Sequence, residues 1–331
     1  FNRCNSLLNL RTKWHVSNNW QYGKYEKKIL FSQGTKVIPH VQLTKDTLWW
    51  SGGNQLFGFK RNEPFHDNNR IFIRDNVRSD ICKFIVKNEH ITTGHRYLVI
   101  GFLLIKTIVN LTFYKVLFHI RIIFYRDGSI QFWTESQRSR NIDFYCSIDR
   151  AHSRNVNALD ETLTAVISGS TDGTVKIWAP LGQRMSKVPL ATINIAEWVY
   201  SLSVDPINKN VAIGSAGDNN KPHLHIFDIE YYTESDVLKP DKRRYAGPLD
   251  MIWDSPQILL TCGYDTYIRK WDLRTGTCVY SWPDPADATL YCISSDFQYT
   301  MITGTKFNCK AVLWDQRQKH YVQVSTDIFL I

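Results

Sequence analysis

The feature that most restricts this chain is a strand ending in Trp or Trp-Asp that returns every forty-odd residues. It reads RDGSIQFW at 126–133, STDGTVKIW at 170–178, CGYDTYIRKWD at 262–272 and KAVLWD at 310–315, with a weaker copy, PHLHIFDIE, at 222–230. The closing aromatics Trp133, Trp178, Phe227, Trp271 and Trp314 are 45, 49, 44 and 43 residues apart. A β-branched run, a small-residue turn with Asp and an aromatic stop, repeated at this period, predict one four-stranded antiparallel sheet per repeat. The expected fold is therefore all-β, a radial β-propeller. Six blades are visible, the first a degenerate copy at 41–75 with LWWSGG and QLFGFK as its inner strands. Because an open sheet edge invites aggregation, the ring should close. Seven blades with the last missing at the C-terminus is the expectation, and a six-bladed ring closed by residues 31–45 is the alternative.

The period and the Trp-Asp closures resemble the WD-repeat family. In that family a His, a Ser or Thr, an Asp and a Trp form a buried hydrogen-bonded chain. The resemblance implies that His152, Ser168, Asp172 and Trp178 form one such chain. It implies Thr261, Asp265 and Trp271 in a later repeat, where the His is absent, and Trp314 as the closing residue of the last. Asp172-Gly173 suits the tight turn between the second and third strands. His152 and Asp172 could also be read as an acid–base pair. Their recurrence with the repeat favours the structural role, because an Asp buried in a sheet needs such partners.

Composition narrows the function. Hydrophobic residues make up 43% and aromatics 13%, which suits a folded globular chain. The net charge of +9 invites a nucleic-acid reading. However, residues 1–60 hold nine Lys/Arg against Glu26 and Asp46, and 102–125 add Lys106, Lys115 and Arg121 with no acid. The repeat-bearing body is left near neutral, without the basic face that phosphate binding requires. No nucleic-acid partner is expected. The cysteines Cys4, Cys82, Cys146, Cys262, Cys278, Cys292 and Cys309 form no CxxC pair, so neither a zinc site nor a disulfide framework is expected. They read as reduced thiols of a cytoplasmic or nuclear protein. P-loop, GxSxG, HExxH and GxGxxG patterns are missing, so no enzyme, cofactor or metal is expected.

Residues 102–125, FLLIKTIVNLTFYKVLFHIRIIFY, interrupt a repeat between YLVIG at 97–101 and RDGSIQFW. Removing all but one of them puts Gly101 before Asp127 as Gly169 stands before Asp172. The length suggests a membrane span, but Lys106, Asn110, Lys115, His119 and Arg121 oppose it, and no membrane association is expected. A loop insertion would favour Gly, Pro, Asp and Ser, which the run lacks. The third reading is translated intron, since 18 of the 24 residues are types with AT-rich codons.

Residues 1–30 carry Leu7, Leu8, Leu10 and Trp14, an apolar cluster that predicts a helical tail, followed by the linker NNWQYGKY. The chain begins at Phe1 and reads as a fragment. A helical tail, an NW..G linker and a WD propeller together resemble the F-box/WD-repeat proteins. LRTKWHVSNNWQYG, HVQLTKDTLWWSGGNQLFGF, CGYDTYIRKWDLRT, DATLYCISSD and VLWDQRQ carry the resemblance. It implies 1–30 as the C-terminal remnant of an F-box with its linker and 31–331 as the propeller. It further implies a substrate-recognition subunit of an SCF-type ubiquitin ligase, whose F-box recruits a Skp-family adaptor and a cullin. A general interaction scaffold without a ubiquitin role is the main alternative.

A protein target would dock on the rim where each first strand begins. Those positions are Arg154 and Asn155, Glu197 and Trp198, Gly247 and Pro248, and Ala288 and Thr289. Trp198 suits an anchor. Arg154 with Arg243 and Arg244 would suit a phosphorylated or acidic target through forked hydrogen bonds. The plainer reading makes Trp198 a core residue and DKRRY, 241–245, a solvated loop.

Overall fold

The computed structural model describes residues 41–325 apart from 45–46, 53, 61–69, 75–79, 88–89, 97–127, 136–141, 163, 180–186, 218–222, 236–245 and 306–310. The described strands form six four-stranded antiparallel sheets. The first holds β1 (Val41–Leu43), β2 (Thr47–Gly52), β3 (Gln55–Lys60) and β4 (Arg70–Arg74). The second holds β5 (Asp80–Lys87), β6 (His90–Arg96), β7 (Gly128–Glu135) and β8 (Ile142–His152). The third holds β9 (Val156–Glu161), β10 (Val166–Ser170), β11 (Thr174–Trp178) and β12 (Ala191–Asn194). The fourth holds β13 (Val199–Val204), β14 (Asn210–Ser215), β15 (Leu224–Asp228) and β16 (Glu234–Ser235). The fifth holds β17 (Pro248–Ser255), β18 (Ile258–Gly263), β19 (Tyr267–Asp272) and β20 (Thr277–Pro283). The sixth holds β21 (Leu290–Ser295), β22 (Thr300–Thr305), β23 (Ala311–Asp315) and β24 (Tyr321–Ser325).

Each sheet is a simple meander, and the first strands β5, β9, β13, β17 and β21 pack against one another in turn. The chain is an all-β propeller. Packing each of the second to fifth sheets between two neighbours explains the burial along their strands. The second strand of the third sheet, VISGS, is buried at every position, whereas the outermost strand of the fifth, TCVYSWP, is largely open to solvent.

One apolar cluster fills each gap between consecutive sheets. Trp133 packs with Leu56 and Trp49 of the preceding sheet, and Trp178 with Ile130, Phe132 and Ile148. Phe227 packs with Ile167 and Ile177, Trp271 with Ala212 and Ile226, and Trp314 with Leu260 and Trp282. Every closing aromatic thus reaches back to the sheet before its own, and this is why the repeat needs a large ring there. Side chains of the first strands add polar latches. Gln42 bonds the backbone of Val86 at both amide atoms, at 2.8 and 2.9 Å. Asp160 accepts from the Val204 amide at 2.7 Å, and Asp250 from the Ile293 amide at 3.0 Å.

The second sheet corrects one reading of the sequence. Its second strand is β6, and Gly94 stands opposite Ile130 as Gly169 stands opposite Val175. Thr93, not a residue of YLVIG, holds the place of Ser168, and its hydroxyl accepts from the Trp133 indole at 3.3 Å. ITTG at 91–94 is the counterpart of VISG at 166–169, and it continues into β7 only after Asp127. The sequence reading favoured YLVIG because that run is more apolar. The break in the repeat therefore opens after Arg96, earlier than Gly101. The expected helical tail at 1–30 and the anomalous run 102–125 lie outside the described residues.

Candidate protein-binding face

The best-formed polar network pins the third sheet to the second. Trp178 Nε1–H donates to Ser168 Oγ at 2.9 Å, and Ser168 Oγ lies 2.7 Å from His152 Nε2. On the other side of the ring, His152 Nδ1 lies 3.2 Å from Asp172 Oδ2. One tautomer fits these partners: Ser168 O–H donates to Nε2, and Nδ1–H is shared between the carboxylate and Thr174 Oγ1, which lies 3.0 Å away. Asp172 also accepts from the Ser153 amide at 2.9 Å and from the Thr174 amide and hydroxyl at 2.9 and 2.6 Å. Burial pushes the Asp172 carboxyl up. Hydrogen bonds from His152, Thr174 and the Ser153 amide outweigh it and hold the group well below the usual carboxylate range. Burial lowers His152 below its ordinary value despite Asp172, so the imidazole is neutral. His152 ends β8, a strand of the preceding sheet, so the chain of bonds staples two sheets together.

Other sheets keep the inner part of this device and vary the rest. Trp271 Nε1–H donates to Thr261 Oγ1 at 2.9 Å, and Trp314 Nε1–H to Thr303 Oγ1 at 2.9 Å. Where the fifth sheet lacks the His, Arg269 Nε–H donates to Asp265 Oδ2 at 2.7 Å, with both residues buried. Burial pushes the Asp265 carboxyl up against the opposing pull of Arg269. Sequence reasoning missed Arg269; its signal was its place two residues before Trp271, where the third sheet has Lys176 before Trp178. In the fourth sheet Phe227 and Ile213 replace the indole and the hydroxyl together, so no polar group is stranded there.

These turns and the loops entering the first strands lie at one end of the propeller, here the upper face. Hydrogen bonds knit the loops to the turns. The Thr171 amide donates to the Asn155 carbonyl at 3.1 Å, and the Ala216 amide to that of Trp198 at 2.8 Å. Ile195 and Ala196 amides both donate to the Gly173 carbonyl, at 2.9 and 3.1 Å. Ala196, in the left-handed region at φ 63°, turns the chain sharply before Glu197 and Trp198. On this frame the Trp198 side chain is 51% exposed, which removes the reading of it as core. Arg154 is exposed and Asn155 half-buried. Pro248 and Ala288 are buried: the Pro248 carbonyl accepts from Ser201 at 2.8 Å, and the Ala288 amide donates to Asp284 at 2.9 Å. These two hold the rim rather than offer contacts. Arg243 and Arg244 lie outside the described residues.

Sequence reasoning also missed a repeated β-bulge. The ladder skips one residue near the start of each first strand from the second sheet on, the third position in β5 and the second in β9, β13, β17 and β21. The skipped residues are Cys82, Asn157, Tyr200, Leu249 and Tyr291. A bulge re-aims the side chain it skips. Tyr200 and Tyr291 flank Tyr264, which stands in the turn between β18 and β19. The ring centroids are 6.0 Å apart for Tyr200–Tyr264 and 6.4 Å for Tyr264–Tyr291, both edge to face.

Residues 145–179 match the family described as WD domain, G-beta repeat. That stretch contains the whole His152–Ser168–Asp172–Trp178 network. The chain is 29% identical over 308 residues, 92% of its length, to F-box/WD repeat-containing protein 4 of Homo sapiens, and equally so to the protein of that name from Mus musculus. It spans 66% of the length of each of these relatives. A shorter match, 26% identical over 135 residues, joins 40% of the chain to 39% of Mitotic checkpoint protein BUB3.3 of Arabidopsis thaliana.

Proposed function

We infer that this chain is the target-binding part of a substrate receptor in an SCF-type ubiquitin ligase. The observation that carries the reading is the similarity to F-box/WD repeat-containing protein 4 over 92% of the chain. An exposed Trp198 on a hydrogen-bonded rim supports it, since a rigid, amphipathic ring suits the centre of a protein interface. In this reading residues 1–30 are the end of an F-box and its linker. A Skp-family adaptor and a cullin join through the F-box, and the partner subunits perform the transfer of ubiquitin. The chain selects the target and performs no chemistry itself. Among the described residues no group of His, Cys, Asp and Glu could hold a metal ion, and no helix is long and apolar enough to cross a membrane. The cytoplasm or the nucleus is the compartment where such a ligase works.

The test is co-purification of the chain, extended to the length of its relatives, with the adaptor and the cullin. The ligase reading expects both in stoichiometric amounts, and Trp198→Ala should keep both while losing bound target. A chain that brings down targets through the same rim but neither subunit is a general scaffold. A phosphorylated target is a narrower form of the reading and rests on Arg154, the described member of its basic set. It expects phosphatase treatment of the target and Arg154→Ala to weaken capture equally.

A further inference from the structure

We propose that Tyr200, Tyr264 and Tyr291 on the upper face form the seat for a cationic side chain, guanidinium or ammonium, of the bound target. The proposal deepens the reading of the upper face as target-binding and rests on it, but does not need the ligase assignment. Three observations converge on this place. Bulges at the second position of β13 and β21 turn Tyr200 and Tyr291 out of the ladder, and Tyr264 bridges them across three consecutive sheets. Tyr264 and Tyr291 nevertheless remain 48% and 40% exposed, so their outward surfaces are unspent. Aromatic ring faces carry partial negative charge and attract cations.

The second observation is strain held in place beside these rings. Thr266, the residue after the turn Asp265, adopts φ 66°, and Asp287 adopts φ 52°. A β-branched residue in the left-handed region is an outlier, and such outliers gather where a surface must be held in one shape. Thr266 Oγ1–H donates to Asp287 Oδ1 at 2.7 Å, locking the turn of the fifth sheet to the loop of the sixth. The third sheet uses Gly173 at the same turn position, at φ 86°, where no strain arises.

The third is charge. Asp287 is exposed on the rim and bonded to Thr266, two residues after Tyr264, and Glu197 precedes Trp198. Asp250 follows the bulged Leu249 on β17 and is half-buried, and burial pushes its carboxyl up. The cation facing it among the described residues is Lys83, which follows the bulge on β5, with Cys292 at the matching place on β21. The exposed Asp287 carboxylate, tied through Thr266 to the turn that carries Tyr264, complements a cation and repels a phosphate. Burial, then Tyr264, pushes the Tyr200 hydroxyl up, so this tyrosine stays protonated and can donate but brings no charge.

The experiment measures fluorescence polarisation of the full chain with four labelled peptide pools. All share random flanks and differ in one fixed central residue: Arg, Lys, Gln or phosphoserine. The Arg and Lys pools are expected to bind roughly tenfold tighter than the Gln pool. Tyr264→Ala and Tyr291→Ala should each erase most of that preference with an unchanged melting temperature. Tyr264→Phe should keep it, because the ring face remains. Equal binding of the Arg and Gln pools by a folded chain would overturn the proposal. So would preference for phosphoserine that is lost in Arg154→Ala and kept in Tyr264→Ala. Adaptor and cullin co-purification from the same preparation separates the two readings. Its loss with the cation preference intact leaves this proposal standing and removes the ligase, whereas its retention without that preference does the reverse.

Discussion

The hydrogen bond between Trp271 and Thr261 can be tested as a pair, because the fourth sheet already shows its apolar replacement. Trp271 is fully buried and Thr261 nearly so, with 2.9 Å between the indole nitrogen and the hydroxyl. Thr261→Val keeps the shape but strands the indole N–H, at a cost of about 1–3 kcal/mol. Trp271→Phe strands the hydroxyl and leaves a cavity about the size of the lost ring, at a cost of about 2–4 kcal/mol. In the double variant both polar groups are gone, as at Phe227 and Ile213. The combined loss should therefore fall short of the sum by about 1–2 kcal/mol. Urea unfolding followed by far-UV circular dichroism reads all four proteins, provided their m values agree. Losses that add to within about 0.5 kcal/mol would refute the claim that the closing indole and the strand hydroxyl act as one unit.

Three further outcomes follow from the same geometry. His152 sits below its ordinary value, so the unfolded chain binds its proton first: the stability it protects is complete above about pH 6.5 and is lost as pH falls toward its folded value. Asp172, also lowered, adds a second loss at more acid pH, and His152→Gln should flatten the upper part of a stability-against-pH curve. Asp265→Asn leaves Arg269 buried without its carboxylate and should cost about 3–5 kcal/mol by urea unfolding, with Asp265→Asn/Arg269→Gln recovering part of it. Trp198→Ala should shift stability by less than about 0.5 kcal/mol, yet abolish target capture in a pull-down, since the ring is half exposed and its loop is held by backbone bonds.

Much of this was readable from residue order because the repeat makes the same demand in each sheet. A closing aromatic must fill the gap to the preceding sheet, so its spacing marked β7, β11, β15, β19 and β23 directly. The residues of the Trp178 network were legible for the same reason. Other features depend on register, which composition does not record. Thr93 and Gly94 were overlooked because HITTGHR is more polar than YLVIG, although its small residue falls opposite Ile130. Arg269 is four residues from Asp265, and only the turn between β18 and β19 brings their side chains together. The bulges leave no mark in the sequence, so Tyr200, Tyr264 and Tyr291 looked like ordinary strand and turn residues. Trp198 was ambiguous because an indole suits core and interface equally.

Crosslinking with mass spectrometry of the assembled complex is the most direct test of the account. Chemical crosslinks from a captured target should fall on the upper loops around Arg154, Trp198, Tyr264 and Thr289, and those from the adaptor on residues 1–30. Target crosslinks on the opposite end of the sheets, around Asn208, Gly276 and Phe297, or no adaptor crosslinks at all, would contradict it.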